Sequence, residues 1–270
     1  MTQTNNDKAG EEYWSTFWKN YTLPDQVILN PATKHNYAFR EIHKFYSSHL
    51  PVHQNTNLIE IGCGNSVFLS YFNTYFKYQV SGLDYSEYGC LQTKKILERD
   101  QISGNIYQGD LFSPPADLTN KFDIVCSFGV VEHFDNTSDV IQHIAAFAKP
   151  GGIIITTIPN LTGVTGWLQK WMNKPVYDIH KVMGLSDIEA FIKNAGLSII
   201  ASTRIIPVSF GVTLDEYENK SVKYKSLKKI ILKGFQVIEK ILCFIDDRLF
   251  KLPRTEAFCA GMIVIARKPQ

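Results

Sequence analysis

The sequence predicts an α/β fold of the doubly wound kind, and three observations carry that prediction. Five strand-length apolar runs lie between Asn57 and Pro159, each rich in β-branched or aromatic residues and bounded by Gly, Asp or Pro. Stretches of helical length and spacing separate most of them. Strand and helix therefore alternate, and alternation means βαβ units, a parallel sheet and helices on both of its faces.

In chain order, the polar start MTQTNNDKAGEE has no apolar core and is expected not to be a secretory signal. Trp14, Phe17, Trp18 and Tyr21 then recur at i, i+3, i+4 and i+7, the spacing of one helix face. That face is expected either to dock on the flank of the sheet or to form an aromatic cover. The strand runs are 57–62, 78–84, 105–110, 122–129 and 152–159, with helices expected at Ser66–Phe76, Ser86–Asp100 and Asp139–Ala148. Residues 160–181, with two Gly, a Pro and two Trp, read as a loop. A helix follows at Ser186–Ala195, with Ser186 as expected N-cap and Gly196 as its left-handed stop. Strands at 197–210 and 257–268 close the chain, and residues 211–256 form an insertion between them.

Composition bounds the function. Of 270 residues, 44% are hydrophobic and 20% charged, which excludes wholesale disorder. Five scattered cysteines without a CxxC pair point to free thiols in a reducing, cytoplasmic setting and against a structural zinc site. No apolar run reaches the roughly 18 residues that a membrane span needs. The net charge of +2 is a cancellation. Residues 220–251 carry nine Lys/Arg against three Asp/Glu, whereas residues 1–219 carry 16 against 22. An anionic partner would therefore meet the insertion and not the body.

Glu60-Ile61-Gly62-Cys63-Gly64 follows a strand and precedes a helix. Glycines at such a turn let backbone N–H groups approach a ligand, with a helix N-terminus behind them. The dinucleotide pattern G-x-G-x-x-G is absent, because Val67 occupies its third position. Asp84 ends the second strand, where a carboxylate can accept both hydroxyls of a ribose. Asp110 ends the third, placed for an adenine edge. Three carboxylates at strand carboxyl ends suit a ligand with a cationic group and sugar hydroxyls better than one with a pyrophosphate.

The ordered strings LIEIGCGNSVFL, GLDYSE, QGDLF, FDIVCSFGVVEHF, KPGG and IITTIPN resemble the class I S-adenosylmethionine-dependent methyltransferases over about residues 55–205. VVEHF with the T-x-P-N strand end is similar to the branch of ubiquinone-pathway O-methyltransferases and small-RNA 2′-O-methyltransferases. The resemblance implies a Rossmann-like, seven-stranded, mostly parallel sheet with an antiparallel last strand. It implies a core at 55–210; the residues themselves add a helical N-terminal lid at 1–54, a last strand with tail at 257–270 and, in place of the family's short hairpin, a basic amphipathic insertion at 211–256. It implies S-adenosyl-L-methionine as cofactor, with Glu60, Gly62, Cys63 and Gly64 around its methionine portion. Asp84 would hold the ribose, Tyr85 would flank the adenine, Asp110 would bond the adenine amino group, and Leu111 would stack nearby. Ser127, Phe128 and Gly129 would line the sulfonium side, and Arg40 is a candidate for the cofactor's carboxylate. The family's third glycine is replaced here by Ser66.

On the acceptor side, His133 and His180 are the candidate bases, since imidazole suits proton removal near neutral pH. The small-RNA branch uses a Glu-x-x-Glu-His metal cluster; Gly129 stands at the first carboxylate's place, so no metal is expected. That departure, and the absence of an Asn/Asp-Pro-Pro-aromatic signature, turns the expectation from nucleic acid toward a hydroxyl on a small molecule, a glycan or a lipid-linked precursor. The alternatives are a nucleic-acid methyltransferase that uses the lysine-rich insertion as a phosphate track and a non-catalytic, cofactor-binding regulatory partner. In the insertion, Leu227, Ile231, Phe235, Ile238, Leu242, Ile245 and Leu249 step at helical intervals, and Ile230, Val237, Ile241 and Phe244 widen the stripe. Such a helix fits a cap over the acceptor, a homodimer seam or an anionic membrane surface.

Overall fold

A computed structural model describes residues 7–30, 36–52, 55–213 and 222–270. Seven strands form one sheet: β1 Asn57–Ile61, β2 Gln79–Asp84, β3 Gly104–Gln108, β4 Phe122–Phe128, β5 Ala148–Pro159, β6 Ser198–Ile205 and β7 Gly261–Arg267. Their order is β3-β2-β1-β4-β5-β7-β6. The first five run parallel, while β7 pairs antiparallel with both β5 and β6. This is the Rossmann-like sheet expected, antiparallel last strand included. Strand order reverses between β1 and β4, and the crevice at such a switch point is where open α/β sheets take ligands.

The helices are α1 Glu11–Asn20, α2 Tyr37–His49, α3 Phe68–Phe76, α4 Glu87–Arg99, α5 Thr137–Ala146, α6 Val164–Met172, α7 Lys174–Asp178, α8 Leu185–Asn194 and α9 Val222–Arg248. The sheet has a core on each face. Ile59, Val125, Ile154 and Val264 meet α5 and α8 on one side; Leu58, Ile124, Ile155 and Ile265 meet α2 and α3 on the other. Period-two alternation in strands buried on both sides produces this division.

Three local expectations are corrected. Ser186 does not cap α8: the helix begins at Leu185, and the Asp187 carboxylate accepts the Gly184 N–H at 2.8 Å. Glu189 instead accepts from the Ser202 hydroxyl at 2.5 Å. Residues 160–181 are not a loop but hold α6 and α7, because their glycines serve close packing. A Cβ at Gly166 would lie 1.9 Å from the Leu161 carbonyl oxygen, so the position admits glycine alone.

The third concerns α9, whose side chains are described from Leu227 onward; Lys220, Lys223 and Lys225 lie outside that range. Ile231, Leu232, Phe235 and Leu242 pack against Leu168 and Met172 of α6 and against Phe210. Leu227, Ile238 and Leu249 are exposed, so the seated face is rotated from the one read in the sequence. Polar anchors cause the rotation. Asp246 is 2% exposed and accepts from Tyr37 Oη at 2.5 Å and from Arg254 Nη1 at 2.7 Å. Those bonds hold its carboxyl well below the usual range despite burial. Asp247 pairs with Arg40 at 2.5 Å, and Lys228 donates to the Met172 carbonyl at 2.7 Å. The C-terminal half of α9 is thereby fixed to α2.

Candidate functional site

A cavity of about 340 Å³ opens at the carboxyl ends of β1, β2 and β4, a size within the range of small-ligand sites. Glu60, Gly62, Gly64, Asp84, Tyr85, Leu111, Phe128, Gly129 and His133 line it, together with Trp14 and Trp18 of α1. Nine of the proposed positions thus converge on one space.

The β1–α3 turn forms the floor. Gly62 has φ +73°, and a Cβ there would lie 2.5 Å from Val130 Cγ2. Neither the backbone angle nor the space admits a side chain. Asp84, 8% exposed, accepts the Gly64 N–H at 2.8 Å and the Ser86 N–H at 2.7 Å. Burial still wins over those two bonds and raises its carboxyl to about 6. Ser66 is more than a lost glycine: its hydroxyl donates to Glu60 Oε2 at 2.9 Å and accepts the Phe68 N–H at 3.0 Å, tying the Glu60 carboxyl to the start of α3. Burial pushes Glu60 to about 8, and the nearby Asp84 charge adds to this against the Ser66 bond.

Helix α1 has no buried residue of its own and closes the near wall. The Trp18 indole lies over Gly64, where a Cβ would come 2.6 Å from its Nε1. Trp14 meets the His133 ring edge-on at 4.9 Å. Asp7, which sequence reasoning missed, accepts from Trp14 Nε1 at 2.8 Å and Tyr85 Oη at 2.5 Å, both at the cavity wall. Its polar, unpatterned surroundings give no sequence signal.

At the far end Glu132, His133 and His180 come together, one donor atom of each lying within 4.8 Å of the others. The expectation of no metal rested on two donors in one segment; His180, beyond α7, is a third. His133 Nδ1 bonds the Ile179 carbonyl at 3.0 Å and His180 Nδ1 the Val176 carbonyl at 2.6 Å. A carbonyl only accepts, so each Nδ1 carries the proton and each Nε2 keeps its lone pair. Glu132 is 2% exposed, and neither carboxyl oxygen has a hydrogen-bond partner. Burial raises it to about 8; burial and the neighbouring His180 lower His133 to about 4.

Five expected site residues stand elsewhere. The Cys63 side chain turns into the sheet core against Gly82, and burial raises its thiol well above the ordinary range. Ser127 lies buried on β4 outside the cavity lining, as the alternation of strand side chains dictates beside Phe128. Asp110 is exposed and accepts the Phe112 N–H at 3.0 Å, while its neighbours Gly109 and Leu111 reach the cavity. Arg40 is held by Asp247, away from the cavity. His180 stands behind His133, ring centres 4.5 Å apart, and does not line the cavity itself.

The buried Glu60 carboxyl makes stability pH-dependent. Its folded value exceeds the ordinary 4.5, so its contribution is fully present below that value and is lost as pH rises through about 8. Histidines with lowered values act below about pH 6.5, so between pH 6.5 and 8 the slope comes mainly from the two raised carboxyls, Glu60 and Glu132, and the Glu60 share is read as the difference from a variant. Urea unfolding of the ligand-free chain in chelator is expected to lose about 1.4 kcal/mol per pH unit from this group. Glu60→Gln should flatten the slope by that amount; an unchanged slope would show that Glu60 ionises normally.

A family model described as a methyltransferase domain matches residues 33–202. Among curated proteins, the mitochondrial ubiquinone biosynthesis O-methyltransferase of Dictyostelium discoideum is 30% identical over 42% of this chain and 38% of the relative. That of Methylobacterium nodulans is 23% identical over 56% of this chain and 63% of the relative. The chain thus spans less than two thirds of each. Among solved structures, Haemonchus contortus phosphoethanolamine N-methyltransferase 2 with S-adenosyl-L-methionine gives a TM-score of 0.61 at 15% identity, covering 100% of this chain and 61% of that one. Geranyl diphosphate C-methyltransferase from Streptomyces coelicolor, solved with Mg2+, geranyl diphosphate and S-adenosyl-L-homocysteine, gives 0.58 at 13% identity, covering 96% and 97%. Likeness at this level concerns the fold, and the named acceptors range over O, N and C.

Proposed function

The chain belongs to the methyltransferase domain family, and from that premise we propose that it transfers a methyl group from S-adenosylmethionine to a hydroxyl of a small-molecule or lipid-linked acceptor. The observation carrying this reading is the cavity itself, which the buried Asp84 carboxylate and the His133 imidazole both line. The residues present fit the cofactor. Asp84 offers acceptor lone pairs for two ribose hydroxyls, Gly62 and Gly64 allow close backbone approach, and Leu111 and Tyr85 provide an apolar seat for adenine. Glu60, Phe128 and Gly129 would surround the methionine end. When bound, S-adenosylmethionine supplies a methyl group on a positively charged sulfur.

The chain's own part is positioning, exclusion of water and proton handling. Trp14 and Trp18 act as the lid, covering the space with apolar area. At the acceptor end, His133 Nε2 takes the hydroxyl proton, and the Ile179 carbonyl fixes its tautomer. The relatives' printed names, O-methyltransferases of ubiquinone biosynthesis, support oxygen as the acceptor atom.

A second reading is favoured by the unpartnered Glu132 carboxyl beside two imidazoles. Histidines that give Nδ1–H to a carbonyl and keep Nε2 are arranged as metal ligands usually are. Glu132, His133 and His180 would then hold a divalent cation that binds the acceptor oxygen and eases its deprotonation. Methyl-labelled cofactor offered with hydroxylated aromatic, prenylated, glycan and nucleic-acid acceptors tests the function: label in an ether bond of one of the first three supports it, and label in nucleic acid alone overturns it. Loss of activity in chelator, restored by Mg2+, Mn2+ or Zn2+, selects the cation reading; indifference to chelator selects proton transfer by His133.

A further inference from the structure

The insertion helix has a second face that the domain leaves uncovered. Ile230, Val237, Ile241 and Phe244 are 65%, 55%, 55% and 52% exposed. They step by seven, four and three residues, one row along α9, and Gly234 completes the row without narrowing it. The helix is about 40 Å long at 1.5 Å per residue.

Charge says what covers this row. All three acids of α9 are turned to the protein: Glu239 accepts the Phe210 N–H at 2.7 Å, Asp246 is held by Arg254, and Asp247 by Arg40. Among the described side chains of α9, the exposed charged ones are Lys229, Lys233, Lys240 and Arg248, all basic. The helix thus presents an apolar row flanked by cations and offers no exposed acid. Helix α6, on which α9 packs, exposes the stacked pair Trp167 and Trp171, side chains that settle at lipid headgroup level.

We propose that α9 docks the protein on an anionic lipid surface, lying in the headgroup plane with Ile230, Val237, Ile241 and Phe244 inserted and the lysines beside the phosphates. A second copy fits less well, because pairing along this row would set lysines against lysines with no exposed acid to meet them. Nucleic acid also fits less well, because three of the row's four side chains are aliphatic and give bases no ring to stack on. The helix lies on the surface and does not cross: among the described residues, no helix is long and apolar enough to span a membrane.

Co-sedimentation of the full chain with vesicles tests this. Equal mixtures of phosphatidylglycerol and phosphatidylcholine are expected to bind it at least about tenfold more strongly than phosphatidylcholine alone, and less so as salt rises. Val237→Glu with Ile241→Glu should weaken binding by about tenfold or more, and Lys233→Glu with Lys240→Glu similarly, with S-adenosylhomocysteine affinity unchanged as the check on folding. No binding, equal binding to neutral vesicles, or binding unchanged in the Val237/Ile241 variant overturns the proposal. So does a vesicle-free dimer, by light scattering, that this variant dissociates; that result assigns the face to a second copy.

Discussion

His133→Ala is expected to lower turnover by about 10²–10⁴-fold while leaving S-adenosylhomocysteine affinity within about threefold. The magnitude is that of removing a positioned proton acceptor, and loss of a metal ligand would cost as much. The split between turnover and affinity follows from place. His133 lines the cavity from the segment after β4, whereas Asp84 and the glycine turn line it from the ends of β2 and β1. Trp14 packs edge-on against the ring, so His133→Gln is the better control for lost packing. Turnover retained in both variants would remove His133 from the chemistry. Affinity lost together with turnover would mean that the residue holds the wall and not the proton.

Asp84→Ala is expected to weaken the same ligand by about 100-fold or more. Two hydroxyls given to one carboxylate are charge-assisted bonds, each worth about 1.5–3 kcal/mol when lost. The substitution also orphans the Gly64 and Ser86 N–H groups, which hold the turn in shape. Asp84→Asn keeps an acceptor for only one of them and sets its amide NH2 against the other, so the unfolding midpoint of each variant is measured beside its affinity to separate a lost turn from lost ligand bonds. The carboxyl is raised to about 6, so the charged form that binds best predominates above that pH. Binding is therefore expected to weaken on acidification through pH 6.

The sheet was legible because its strands are short, β-branched and separated by helices of ordinary length, so local pattern and global topology agree. The glycine-turn side of the cavity was legible for a related reason: Glu60, Gly62 and Asp84 sit at or just beyond strand ends, positions that spacing locates, whereas Phe128 came only through the family resemblance. The acceptor end was legible only in halves. His133 and His180 were each singled out, but their approach to one point with Glu132 depends on how the chain returns after β5. Arg40 shows the same limit more sharply, because its partner Asp247 lies 207 positions away and no local pattern links them. In α9 the apolar period was plain, yet Lys228 and Asp246 choose which face is seated, and buried polar anchors are invisible to a hydrophobic count. Residues 160–181 were misread because glycine marks both a turn and a close approach, and here the second meaning applied.

The central claim is that the crevice at the ends of β1, β2 and β4 is a nucleoside pocket governed by Asp84. Calorimetric titration of S-adenosylhomocysteine into the folded parent chain and its Asp84→Ala variant tests it most directly. One-to-one binding by the parent, lost or weakened at least about 100-fold in the variant, is the predicted result. No binding to the folded parent, or equal affinity in the two proteins, would contradict it.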